Sequence, residues 1–404
     1  MAARRPPPAP PQAEDLDEDD DAGAALALER GLRRSAPPLA ALGWDPIWAA
    51  AEALARAQLS PELLEGPALR PARVSVEHRG RLVVVGPEGP RLAWAPRGSQ
   101  HDSSDPALAL LRPRVGDWVL LPEVPEPRVA AVLPRRTALL RQTPRRKVAV
   151  QVVAANLDLV VVVTAWGKEL NVRRVERYLA AAEASGAEVL VLVNKIDLAP
   201  PGGDPVAALL GPIAAAAPVL ALSTRRGDGV EALQARLRPG RTLGLVGSSG
   251  VGKSSIINML IGAPELAVGE VRTDDEKGRH TTTHRELLVL PPIRPGEDSG
   301  GVLIDTPGMR ELQLWDGTGV ERSFDDLAAL AEGCRFRGCT HSREQGCALQ
   351  KAITEGELEP GRLASFRKLM AEVKAKDDAQ KRRRDPRKVA DERWDHRAWR
   401  PTED

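Results

Sequence analysis

Aromatic side chains are scarce in this 404-residue chain, which has one Tyr and three Phe beside eight Trp. That leaves little for reading nucleic-acid bases by stacking, so any such contacts would fall mostly to charge. Cysteine is equally scarce. All three cysteines lie between positions 334 and 347, which argues against a disulfide framework and points to a metal site in a reducing compartment. Neither sign of charge is in excess. With a formal net charge of +1, a nucleic-acid-binding face must come from local clustering. No apolar run reads as a membrane span: the one over residues 148–166 is broken by Gln151, Asn156 and Asp158 and suits a pair of buried strands. The opening MAARRPPPAP has an arginine pair but lacks the apolar stretch of a signal peptide, so a cytoplasmic protein with no membrane partner is expected.

Four regions follow from texture. Residues 1–72 are expected to be largely disordered, being rich in Pro and Ala and carrying seven acidic residues in the eight positions 14–21. Within them, 41–71, with Trp44 and Trp48, suits a short helix. Residues 73–147 show short alternating apolar runs between Gly and Pro turns, the pattern of a small β-barrel. Its end, 134–147, holds six basic residues and no acidic one, which reads equally as a solvated connector or a nucleic-acid-binding rim. Residues 148–315 alternate strands with helices, implying a mostly parallel sheet covered on both faces. Residues 316–404 turn helical and charged around the cysteine cluster.

The strongest motif runs from Gly247 through Ser248, Ser249, Gly250 and Val251 to Gly252, Lys253 and Ser254, with Ser255 following. It fits a phosphate-binding loop and has the required context, an apolar strand before it and a helical pattern after it. Its amides would curl around phosphate oxygens, Lys253 would reach the terminal phosphates and the Ser254 hydroxyl would hold Mg²⁺. Asn194, Lys195, Ile196 and Asp197 follow another apolar strand. An Asp at that edge accepts from both the ring N–H and the exocyclic amine of guanine, a pattern adenine lacks, which selects GTP and GDP. Asp305 and Gly308 belong to a DTPG motif at a third strand end, where the carboxylate would serve Mg²⁺ and the glycine amide would sense a γ-phosphate. Of the triplet Thr281, Thr282 and Thr283, Thr282 is the favoured further Mg²⁺ contact. Met309 stands where related enzymes carry a water-orienting glutamine, which leaves that task to His280 or to a partner.

Cys334, Cys339, His341 and Cys347 supply three thiolates and an imidazole, the four donors of a closed, structural Zn²⁺ site. Catalytic zinc keeps a position open, so one scaffolding ion is expected.

Motif order is unusual. The guanine motif and the Ser223–Thr224 loop precede the phosphate loop, and DTPG comes last before the cysteines. With the ANLDLVVVV and RYLAAAEASG stretches, this chain from about residue 74 to 374 resembles the bacterial ribosome small-subunit-dependent GTPase A family (RsgA type). The resemblance implies an OB-fold barrel, a circularly permuted P-loop GTPase domain and a C-terminal zinc module. It further implies GTP hydrolysis on the small ribosomal subunit during late maturation, with ribosomal RNA as partner, by a monomer. The chain departs from the family at Thr224, where Ala is usual. In the barrel, only Trp94 and Trp118 remain as candidates for base stacking. A permuted GTPase serving another RNA assembly, or a GTP-dependent RNA-binding switch with negligible turnover, are the competing readings.

Overall fold

The computed structural model describes residues 36–78, 80–96, 112–142, 150–202, 204, 213, 216–262, 285–305, 320, 323–336, 338–342 and 344–384. Four strands with Val- and Leu-rich cores form its centre. They are β8 (Leu159–Ala165), β9 (Glu188–Asn194), β11 (Thr242–Val246) and β13 (Gly301–Asp305). Such runs suit strands covered on both faces, and every residue of β8 and β11 is buried. β11 pairs in parallel with β8 on one side and β13 on the other, while β8 continues in parallel to β9. The short β10 (Val219–Ala221) closes that edge. Parallel pairing needs crossovers. Helix α3 (Val172–Glu183) makes the one from β8 to β9, started by Asn171, whose side chain accepts from the Arg174 amide at 3.1 Å. Its buried stripe includes Val175, Tyr178, Leu179 and Ala182, at helical spacing.

Beyond β13 the sheet turns antiparallel through β12 (Glu286–Leu290) and runs into the β domain. There β1 (Leu69–Glu77) meets β12 at Val76 opposite Glu286, then pairs with β2 (Arg81–Gly86) and with β4 (Trp118–Pro122). β3 (Gly89–Trp94) and β5 (Ala131–Val132) complete it. A separate ribbon of β6 (Ala138–Gln142) and β7 (Val150–Ala155) leads into β8. Among the described residues no helix is long and apolar enough to cross a membrane.

Residues 36–72 hold the short helix expected within 41–71 and more order than a largely disordered stretch would have. Helix α1 (Pro46–Arg56) is capped by Asp45, which accepts from the amides of Ile47 and Trp48 at 3.0 Å each. A one-turn α2 (Pro61–Glu65) follows, and β1 already begins at Leu69. The cause is aromatic packing: Trp44 meets Trp118 edge-on at 4.8 Å, and Trp48 lies 6.2 Å from the same ring. Trp118 is therefore fully buried and unavailable for stacking on bases. Nor is the basic stretch 134–147 a free rim throughout. Arg135 binds the buried Asp117 at 2.6 Å, and Arg136 binds Asp45 at 2.5 Å while lying 4.1 Å over Trp48. Burial pushes the Asp117 carboxyl above its usual range, and Arg135 opposes that shift.

One cation joins these parts. Arg73 is 1% exposed and donates to three backbone carbonyls: Leu42 of the N-terminal turn, Gly116 before β4 at 3.1 Å, and Asn156 before β8 at 3.1 Å. Burial lowers its pKa to about 10, so it remains charged at neutral pH. Replacing it by Met would remove the guanidinium from all three, leaving the Gly116 carbonyl only its bond from Asn156 Nδ2 at 3.1 Å. Arg73→Met should cost about 3 kcal/mol, read as a lower urea midpoint. A loss below about 1 kcal/mol would show that other donors replace the guanidinium.

Candidate functional site: a phosphate loop tied to a guanine-side loop

β8, β9, β11 and β13 end along one edge of the sheet, where parallel α/β proteins bind ligands. At the end of β11 the chain turns at Gly247, where a Cβ would meet the Val163 carbonyl at 2.2 Å. Ser249 and Gly250 lie exposed on the loop, and Val251 is buried beneath it. Helix α5 (Lys253–Ile261) then begins, with Ser254 and Ser255 half-buried in its first turn. Lys253 Nζ donates to the carbonyls of Gly247 and Ser248 at 2.8 and 2.6 Å, so its charge lies over the loop.

Residues 194–197 are bonded directly to this loop. Asn194 ends β9 fully buried and donates through Nδ2 to the Val251 carbonyl at 2.9 Å. Gly252, with φ +96°, passes so close that a Cβ would lie 2.3 Å from Asn194 Nδ2. Lys195, itself left-handed at φ +60°, donates through Nζ to the Gly250 carbonyl at 2.7 Å. Ile196 opens the short 3-10 turn Ile196–Leu198, which contains Asp197. Ser223 donates to Asp197 Oδ1 at 2.7 Å, and the Thr224 amide points at Asn194 Oδ1 from 3.4 Å. Asp305 ends β13 at the same edge. His280, Thr282, Gly308 and Met309 lie outside the described residues.

Sequence reasoning missed a third set of contacts. Arg174, in the first turn of α3, donates to Ser248 Oγ at 3.1 Å and to Glu169 at 2.6 Å. Tyr178, one turn on, shares a hydrogen bond with the same serine, and burial raises its phenol pKa. Some seventy positions separate these residues from Ser248, and no motif signals the pairing.

In the C-terminal region the four expected metal donors converge. The sulfurs of Cys334, Cys339 and Cys347 and a His341 ring nitrogen all lie within 4.8 Å of one another. His341 Nδ1 is 3.6 Å from both Cys334 Sγ and Cys347 Sγ, and those sulfurs are 4.0 Å apart. A tetrahedron with bonds of about 2.3 Å to sulfur and about 2.0 Å to nitrogen separates its donors by roughly 3.6–3.8 Å. The His341 contacts match that spacing and the sulfurs lie somewhat wider, so the four donors could hold one metal ion. Burial lowers the His341 pKa, against the opposing pull of Glu344, which favours the neutral, ligating imidazole.

A family model described as RsgA GTPase matches residues 132–315. A small ribosomal subunit biogenesis GTPase RsgA from Opitutus terrae is 43% identical over 347 residues, covering 83% of this chain and 89% of the relative. The chain belongs to the RsgA GTPase family. A relative of the same name from Streptomyces coelicolor is 43% identical over 354 residues, covering 85% of this chain and 90% of its own length. Among solved structures, that of YjeQ from Thermotoga maritima aligns with a TM-score of 0.55 at 25% identity, covering 76% of this chain and 99% of that one. YloQ, described as a circularly permuted GTPase, shares the fold with a TM-score of 0.53 at 21% identity, covering 76% of this chain and 96% of its own. The fold class expected from the motifs, a permuted P-loop GTPase with a β domain, agrees with these neighbours, and the C-terminal region carries the expected Cys3His group.

Gly252 provides a test of the tie between the two loops. Gly252→Ala adds a methyl group against Asn194 in a left-handed backbone, so it should weaken guanine-nucleotide binding by about 100-fold or more. Titration of a fluorescent GDP analogue reads this directly. Unchanged affinity would mean that the two loops separate without consequence.

Proposed function

We propose that this chain hydrolyses GTP in the biogenesis of the small ribosomal subunit, working in the cytoplasm as a monomer with the subunit's RNA as partner. The observation that supports this reading is the Asn194–Val251 hydrogen bond, which joins residues 194–197, the proposed guanine loop, to residues 247–255, the proposed phosphate loop. Its relatives from Opitutus terrae and Streptomyces coelicolor bear the corresponding name.

Asn194, Lys195, Ile196 and Asp197 would hold guanine, with Ser223 fixing the Asp197 carboxylate. Residues 247–255 would cradle the phosphates, and Lys253 would exchange its two loop carbonyls for phosphate oxygens. Ser254, Thr282 and Asp305 would hold Mg²⁺, which when bound neutralises charge on the β- and γ-phosphate oxygens. Gly308 would sense the γ-phosphate. In hydrolysis, water attacks the γ-phosphorus in line with the bond to the β-phosphate oxygen, releasing GDP and phosphate. His280, or a group supplied by the partner, would orient that water, because Met309 offers only a weakly accepting thioether.

Cys334, Cys339, His341 and Cys347 would hold a structural zinc ion that fixes the loops ahead of the last helices. Their packing against His341 supports this role: Gln350 donates to its carbonyl at 2.8 Å, and the Phe366 ring lies 6.4 Å from its own.

Two measurements test these assignments. GTP turnover, slow in the isolated protein, should rise at least about tenfold with purified small ribosomal subunits, as expected when a partner completes an active site. No rise would reject the ribosomal assignment, and no turnover under any condition would favour the binding switch. Elemental analysis should find one zinc per chain, and its removal by chelator or by Cys339→Ser should lower the melting temperature by about 5 °C or more. Zinc-free protein with an unchanged melting temperature would refute the metal assignment.

A further inference from the structure

Helix α3 is held from two sides. Toward the nucleotide edge, Arg174 and Tyr178, one turn apart, converge on Ser248 of the phosphate loop. The residues between them face the C-terminal region. Glu176 is 2% exposed and accepts from Arg362 Nη1 at 3.3 Å, while Arg177 pairs with Glu372. Both partners belong to the long helix Pro360–Arg384, the second helix after the cysteine-bearing loops. Arg362 is also held by Asp326 at 2.6 and 2.8 Å, so it locks the helix Asp325–Ala331 into the same cluster. One rigid helix thus connects the metal-bearing region to the loop that holds phosphate.

The contact at Ser248 is well placed to matter. The carbonyl of that residue is one of the two on which Lys253 rests, so the position of Ser248 sets where the lysine begins its reach. Arg174 divides its guanidinium between Ser248 and Glu169. Its side chain is 42% exposed, so rotation about its own side-chain bonds can change that division while the buried face of α3 stays packed in the core.

We propose that Arg174 is a positioning residue for the phosphate loop, acting through Ser248, and that the C-terminal module sets its position through the Arg177–Glu372 pair. The zinc-bearing region then influences hydrolysis along α3 as well as through the chain that leads to it from Asp305. The inference rests on residues 247–255 being the phosphate loop of a GTP hydrolase, so hydrolysis by the unaltered protein is the control that keeps the two ideas apart.

Single-turnover GTP hydrolysis and nucleotide affinity, measured on the full-length zinc-loaded protein, provide the test. Arg174→Ala should lower the hydrolysis rate about fivefold while GTP affinity changes by less than about twofold, the pattern of an interaction realised in the transition state. Arg174→Lys, which keeps a donor for Ser248, should recover at least half of the rate. Ser248→Ala should resemble Arg174→Ala, and the double variant should be no slower than the slower single one, because both remove one interaction. Glu372→Gln and Arg177→Gln, which break the same ion pair from opposite sides, should each slow hydrolysis about twofold alone and add nothing to Ser248→Ala. A normal rate in Arg174→Ala, or effects that multiply in the double variants, would overturn the proposal. If the unaltered protein fails to hydrolyse GTP, the functional reading itself fails instead.

Discussion

Much of the site depends on one buried amide. Asn194 is 0% exposed, and its Nδ2 spans from the end of β9 to the Val251 carbonyl at 2.9 Å. A buried amide left without a partner is costly, so the folded core itself holds the loop 194–197 against the loop 247–252. Gly252 is glycine for the same reason, since any side chain there would occupy the space of the amide. Lys195 adds a second tie to Gly250. Together they set the spacing at which a base and its phosphates would be gripped at once.

This also accounts for how a permuted chain keeps a working arrangement. Hydrogen bonds between strands do not depend on the order in which the chain visits them. β9 lies two places from β11, with β8 between them. Their ends therefore bring residues 194–197 beside residues 247–252, whichever motif comes first in sequence. The permutation changes what is attached to the ends. Upstream, Arg73 binds carbonyls from the N-terminal turn, the β domain and the entry to β8. Downstream, the C-terminal helices return to α3 through Arg362 and Glu372. Both attachments use buried or half-buried arginines, whose rigid planar heads satisfy several acceptors at once.

The C-terminal region has an apolar core that includes Phe324, Leu327, Leu349, Leu363 and Phe366, and its four clustered donors lie in the loops beside that core. Phe324 and Phe366 pack at 5.5 Å, and a cation between Cys334, Cys339, His341 and Cys347 would fix the loops that precede them. That leaves Phe336, the third phenylalanine of the chain, 52% exposed.

The sequence alone determined what depends on neighbours in the chain. Glycines at loop turns, a lysine and serine opening a helix, Asp197 after an apolar strand and four metal donors within fourteen positions were all legible, because each motif is a local solution to a local problem. The β-domain texture and the alternation of strands and helices were legible from apolar periodicity. Only the tertiary structure decided which distant groups meet. Trp118 looked like a surface ring until Trp44 and Trp48 covered it, and this also fixed the short N-terminal helix against the β domain. Arg135 and Arg136 looked free until Asp117 and Asp45 claimed them. Nothing near Arg174 in sequence points to Ser248, and nothing near Glu176 points to Arg362. Those pairings arise when helices and sheet pack, and side chains far apart in sequence become each other's nearest source of charge and hydrogen bonds.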